Sequence, residues 1–177
     1  PKTAEFILCK ILGWKMGPFC QDPKALILGV PHTTVWDFPI AALYAIACGK
    51  QAHILVKQSF FFWPVGPIIK KLGAIPVEET TRGGAGAVRQ MIDAYRNNDE
   101  FLWSFAPEGT RSPVKHWKTG FHKIAREAGV PVYAGYYDWG TKTVTCGGKF
   151  ELTDDLRSDM IRLQQHYKDL GIKGFHP

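Results

Sequence analysis

Short apolar runs that alternate with segments of helical periodicity constrain this chain more than any other feature. Residues 25–30, Ala25-Leu-Ile-Leu-Gly-Val30, are apolar throughout and bounded by Pro23 and Pro31, the pattern of a strand buried on both faces. Residues 37–48 follow, with Ile40, Leu43, Tyr44 and Ala47 at helical spacing. Residues 53–56 and 74–77 are further strand candidates, and residues 60–67 between them are too broken by proline to be regular. Residues 83–97 are helical after a glycine-rich entry, with Val88, Met91, Ile92 and Tyr95 on one face. A strand over 101–105, a helix over 121–128 and a strand over 131–137 come next. A return strand over 141–145 follows a turn near Trp139, and a last helix runs from Asp154 or Asp155 to about residue 170. This alternation predicts an α/β fold with a largely parallel or mixed central sheet flanked by helices.

The length of 177 residues fits one domain with a real core. Residues 25–137 would carry the chemistry and residues 153–170 the closing helix. Within residues 1–20, Phe6 to Trp14 form a short apolar helix with Lys10 and Lys15 nearby. Such a helix suits contact with a membrane surface, or packing on its own core.

Functional side chains in open α/β sheets lie beyond the carboxyl ends of strands. His32, Lys57, Glu78 and Glu108 all follow predicted strands and are expected to share a cleft. His32 and Asp37 form an H-x4-D pair. A neutral imidazole accepts a proton near neutral pH, and a carboxylate on its other nitrogen fixes the tautomer and stabilises imidazolium. The spacing alone also fits a histidine that merely caps a helix. Asp37 stands where a carboxylate caps free N–H groups. The second cluster is Glu108-Gly-Thr-Arg111, with Lys115 and Lys118 after it. Gly109 permits close backbone approach, Thr110 offers a hydroxyl, and Arg111 is a planar fork for phosphate.

Taken together and in this order, the clusters resemble the glycerolipid acyltransferase family, which includes the 1-acylglycerol-3-phosphate acyltransferases. The resemblance runs from about Ala25 to Tyr133. Its first block is similar to His32-Thr-Thr-Val-Trp-Asp37, its second to Lys71-Leu-Gly-Ala-Ile-Pro-Val-Glu78, its third to Phe105-Ala-Pro-Glu-Gly-Thr-Arg-Ser112 and its fourth to Gly129-Val-Pro-Val132. It implies that His32 deprotonates an acceptor hydroxyl that attacks the thioester of an acyl-CoA or acyl carrier protein, and that Asp37 orients His32. It also implies that Arg111 binds an acceptor phosphate with Lys118 and Arg82 as helpers, and that Glu108 has an acceptor-site or structural role. Nothing in this chemistry needs a cofactor or metal beyond the acyl donor. One departure stands out. Where the family has an acidic residue followed by arginine, this chain has Glu78-Glu79, and the next arginine is Arg82. A non-phosphate alcohol or aminolipid acceptor therefore stays open, as does a peripheral lipid-binding module without turnover.

The formal net charge of +6 points to anionic company such as lipid headgroups or phosphorylated substrates. The expected partners are an acyl thioester, a lysophospholipid-like acceptor and a cytoplasmic membrane surface occupied peripherally. Nucleic acid is not among them, because the aromatics do not interleave with a basic stripe. Phe60-Phe-Phe-Trp63, with Lys57, Lys70 and Lys71 nearby, fits an acyl tunnel, a bilayer contact or plain core packing. His116 and Trp117 are placed provisionally at the cleft. The four cysteines carry no C-x-x-C spacing, which favours a reduced compartment over a disulfide framework.

Overall fold

The computed structural model describes residues 1–77 and 84–175. The chain enters through helix α1 (Lys2–Glu5), which continues as a π-helical segment, Phe6–Ile11, and then strand β1 (Lys15–Met16). The central elements are β2 (Lys24–Leu28), α2 (Asp37–Ala47), β3 (Ala52–Lys57), a 3₁₀ turn (Gln58–Phe60), α3 (Val65–Lys71) and β4 (Ala74–Val77). They are followed by α4 (Ala85–Asn97), β5 (Phe101–Phe105), α5 (Gly120–Ala128), β6 (Val132–Tyr133), β7 (Tyr136–Asp138), β8 (Thr143–Thr145), β9 (Lys149–Phe150) and α6 (Leu156–Leu170).

The main sheet among the described residues has the order β4-β3-β5-β2-β6-β9. Its first five strands are parallel, and β9 closes the edge antiparallel to β6. The fold is α/β with a mixed sheet, as the alternation of patterns predicts. Side-chain alternation along β2 divides the core. Leu26 and Leu28 pack with Trp103, Met91, Phe121 and Leu163 under α4, α5 and α6, whereas Ala25 and Ile27 pack with Ile40, Tyr44 and Leu102 under α2. Each face of β2 is covered, which is why its sequence shows no polar alternation.

The connections fix where a site can form. The chain leaves β2 through α2 and returns as β3 on the far side of β5, whereas it leaves β5 through α5 and returns as β6 on the far side of β2. Loops leaving these two neighbouring strands diverge, so a crevice opens between them at their carboxyl ends.

Two expectations change. Residues 60–67 are not irregular throughout, because α3 starts at Val65. Its Pro67 sits in the first turn, where a missing N–H breaks no intrahelical bond. Residues 131–137 are two strands, not one. β6 stays in the main sheet and β7 joins a smaller sheet of order β1-β8-β7. The contributions of Lys15–Met16 and Lys149–Phe150 carry no periodic pattern, since two-residue strands are too short to show one. In the N-terminal segment Leu8 and Trp14 are buried while Phe6 and Ile11 are exposed, so it packs on the core along one side only.

Candidate active site

The loop after β2 folds around Asp37. Its Oδ2 accepts hydrogen bonds from the backbone N–H groups of Thr33 (2.9 Å) and Thr34 (3.0 Å) and lies 3.1 Å from His32 Nδ1. Its Oδ1 accepts from the indole Nε1–H of Trp139 at 2.8 Å. Asp37 is the first residue of α2, yet its carboxylate makes no cap to that helix. It turns back onto the loop that carries His32, where a capping role for the helix had been expected. Asp37 is 2% exposed, and both carboxylate oxygens are met by hydrogen-bonding groups, as a buried polar group requires.

With Nδ1–H donated to Asp37, the imidazole's basic lone pair is on Nε2. His32 lines a cleft of about 270 Å³ together with Asp37, Phe38, Leu55, Trp103, Gly109, Lys118 and Tyr137. The walls come from α2, β3, β5 and the two diverging loops, so the cleft lies where the topology opens the sheet. Gly29 at its base must be glycine-sized, since a Cβ there would stand 2.4 Å from the Tyr137 hydroxyl.

Glu108 ties the two loops together. Its Oε1 accepts the backbone N–H of His32 at 3.1 Å, and its Oε2 is buried without a hydrogen-bond partner among the described residues. Burial pushes its carboxyl up from the usual range, against the opposing pull of the His32 N–H. Gly109 follows with φ +65°, and Lys118 lies across it where a side chain would otherwise stand. Lys118 is anchored by its own N–H to the Pro107 carbonyl at 2.7 Å.

Of the residues singled out by sequence, His32, Asp37, Gly109 and Lys118 line the cleft and Glu108 braces it. Thr110 and Arg111 are exposed on the same loop and are not part of the cleft wall. Arg82, Glu78 and Glu79 lie outside the described residues. His116 and Trp117 do not flank this cleft. They border a separate groove against α6, with Trp117 on the ring of Tyr167 at 5.8 Å. Tyr137 and Trp139 were missed as site residues. The contact between Trp139 and Asp37 spans 102 positions, and no local spacing encodes it.

The site is thus a histidine–carboxylate pair in the crevice beyond the parallel strands of a mixed α/β sheet. The chain belongs to the Acyltransferase family, that of the glycerolipid acyltransferases, whose model matches residues 20–138. Comparisons with curated proteins and with solved structures return no match.

Proposed function

We propose that this protein transfers a fatty acyl group from an acyl thioester, acyl-CoA or acyl carrier protein, to the hydroxyl of a lysophospholipid-like acceptor, with 1-acylglycerol-3-phosphate as the leading acceptor. The observation that carries this reading is the His32–Asp37 pair, held by four contacts to Asp37 and facing a cleft. His32 Nε2 takes the acceptor's hydroxyl proton while that oxygen attacks the thioester carbonyl carbon. The tetrahedral intermediate then expels the thiolate as the C–S bond breaks, and the thiolate takes the proton back from His32. Asp37 stabilises the imidazolium between these two transfers. Lys118, the lysine on the cleft wall, offsets negative charge on the acceptor phosphate. Arg111, on the exposed loop that carries Glu108, and Arg82 are the further cations of this reading. The proposed step needs no cofactor or metal.

An acceptor without phosphate is the second reading. It is favoured by the exposed position of Arg111 outside the cleft wall. Thiol release from palmitoyl-CoA, with and without 1-acylglycerol-3-phosphate, tests both. Acceptor-dependent release that falls about 10²–10⁴-fold in His32→Ala is the expected result for loss of a general base. A rate indifferent to His32→Ala removes the mechanism. Release that ignores the phosphate acceptor but answers to a neutral diacylglycerol precursor or an aminolipid selects the second reading.

A further inference from the structure

Asp37 faces more than the loop it belongs to. Its Oδ1 is engaged by Trp139, one residue beyond the last position of the family match. The indole is held from two further directions. Trp14 meets it edge-on at 4.9 Å and Phe175 at 4.7 Å. The backbone around it is pinned as well, because Trp139 N–H donates to the Lys173 carbonyl at 2.9 Å and Lys173 N–H donates to Asp138 Oδ1 at 3.2 Å. The same segment reaches the other side of the pair. Phe175 N–H donates to Thr33 Oγ1 at 2.8 Å, and Thr33 N–H is one of the donors to Asp37 Oδ2. Gly174 sits so close to Thr33 that an added Cβ would be 2.6 Å from its methyl carbon.

We propose that Trp139 is a positioning residue for the His32–Asp37 pair, and that the strap of residues 173–175 holds both Trp139 and Thr33 against Asp37. A carboxylate with one oxygen fixed by loop N–H groups can still pivot about that edge. A donor on the second oxygen removes the pivot and aims Oδ2 at Nδ1. Trp139 also withdraws charge from the carboxylate, so less is left to favour imidazolium. This inference rests on His32 acting as the base.

The test is the pH profile of acceptor-dependent thiol release. Trp139→Phe keeps a ring between Trp14 and Phe175 and removes only the N–H donor. The titratable groups facing the pair among the described residues are Glu108 from the loop after β5, Lys118 ahead of α5 and Tyr137 on β7, and all three remain. With Nε2 as base, activity is lost as pH falls through the imidazole titration. A carboxylate deprived of one donor favours imidazolium more, so the acid limb is expected to move to higher pH by about half a unit to one unit. At the plateau kcat falls about tenfold while KM for both substrates stays within about twofold. A ring that only packs would lower the melting temperature and leave the acid limb in place, and that outcome overturns the proposal.

Should Trp139→Phe fail to fold, Phe175→Ala decides. Phe175 is 45% exposed, so its loss is tolerable to the core, and the same shift in smaller measure is expected. An unmoved limb in that variant overturns the proposal equally. Indifference of the rate to His32→Ala defeats the base itself, whereas a His32-dependent enzyme with an unmoved limb defeats the role of Trp139 alone.

Discussion

Glu108 holds the backbone of His32 with one oxygen and leaves the other buried without a partner among the described residues. The unpartnered oxygen is costly when charged and cheap when protonated. Burial therefore raises its titration above the ordinary carboxylate range. A group whose folded value is raised contributes stability that is complete below its unfolded value and is lost as pH climbs through the folded one. Glu108→Gln keeps an acceptor for the His32 N–H and cannot ionise. Its melting temperature relative to wild type is expected to rise as pH climbs above the ordinary glutamate range. A pH-independent difference in thermal scans would mean that burial does not raise the titration of Glu108 in the folded chain. The identity of this residue was legible in sequence, as part of a Glu-Gly-Thr-Arg turn after a strand. Its grip on His32 was not, because residues 76 positions apart meet only once β2 and β5 lie side by side.

At the scale of elements, the strand and helix order could be read wherever a segment was long enough to repeat a period. β2, α2, β4, α4, β5 and α6 fall within a few residues of expectation. What escaped was decided by tertiary context, such as the break after Tyr133 that sends β7 to a second sheet. A second histidine–carboxylate pair escaped as well. His122 on α5 meets Asp159 on α6 at 2.9 Å, and Asp159, 1% exposed, also accepts from the N–H and hydroxyl of Thr153 and from Arg162. Burial opposes its ionisation, but the hydrogen bonds from Arg162, Thr153 and His122 win and hold it at about 2. These contacts clamp α6 to α5 and to the loop before α6. A depressed carboxylate contributes stability that is present above its unfolded value and lost as pH falls through the folded one. Asp159→Asn is expected to cost about 2 kcal/mol at neutral pH, with the gap to wild type closing as urea titrations move from about pH 4 towards about pH 2. A gap that stays constant over that window would assign the cost to shape rather than to charge.

Across the whole molecule, apolar side chains collect at one end. Val35 and Trp36 follow β2, and Phe60, Phe62, Trp63 and Ile68 follow β3. Each is more than half exposed, Trp63 at 84%. β2 and β3 run in the same direction in one sheet, so both loops stand at the edge where the cleft opens. An acyl tunnel requires enclosed rings, and these are not enclosed. Residues 51–77 contain Lys57, Lys70 and Lys71 but no acidic residue. No helix among the described residues is long and apolar enough to cross a membrane. Aromatic tips in the headgroup region with lysines beside them bind anionic bilayers by burial and charge together. Sedimentation with vesicles containing phosphatidylglycerol is therefore expected to exceed that with purely zwitterionic vesicles, and to weaken as salt shortens the Debye length. Replacing Phe62 and Trp63 together by serine removes about 1.5–3 kcal/mol for each ring that would be buried, enough to lower partitioning at least tenfold. Turnover of a soluble short-chain acceptor should survive that double change, because neither ring lines the cleft. Equal binding to both vesicle types by wild type and variant would locate the membrane contact elsewhere, with the exposed Phe6 and Ile11 the next side chains to replace.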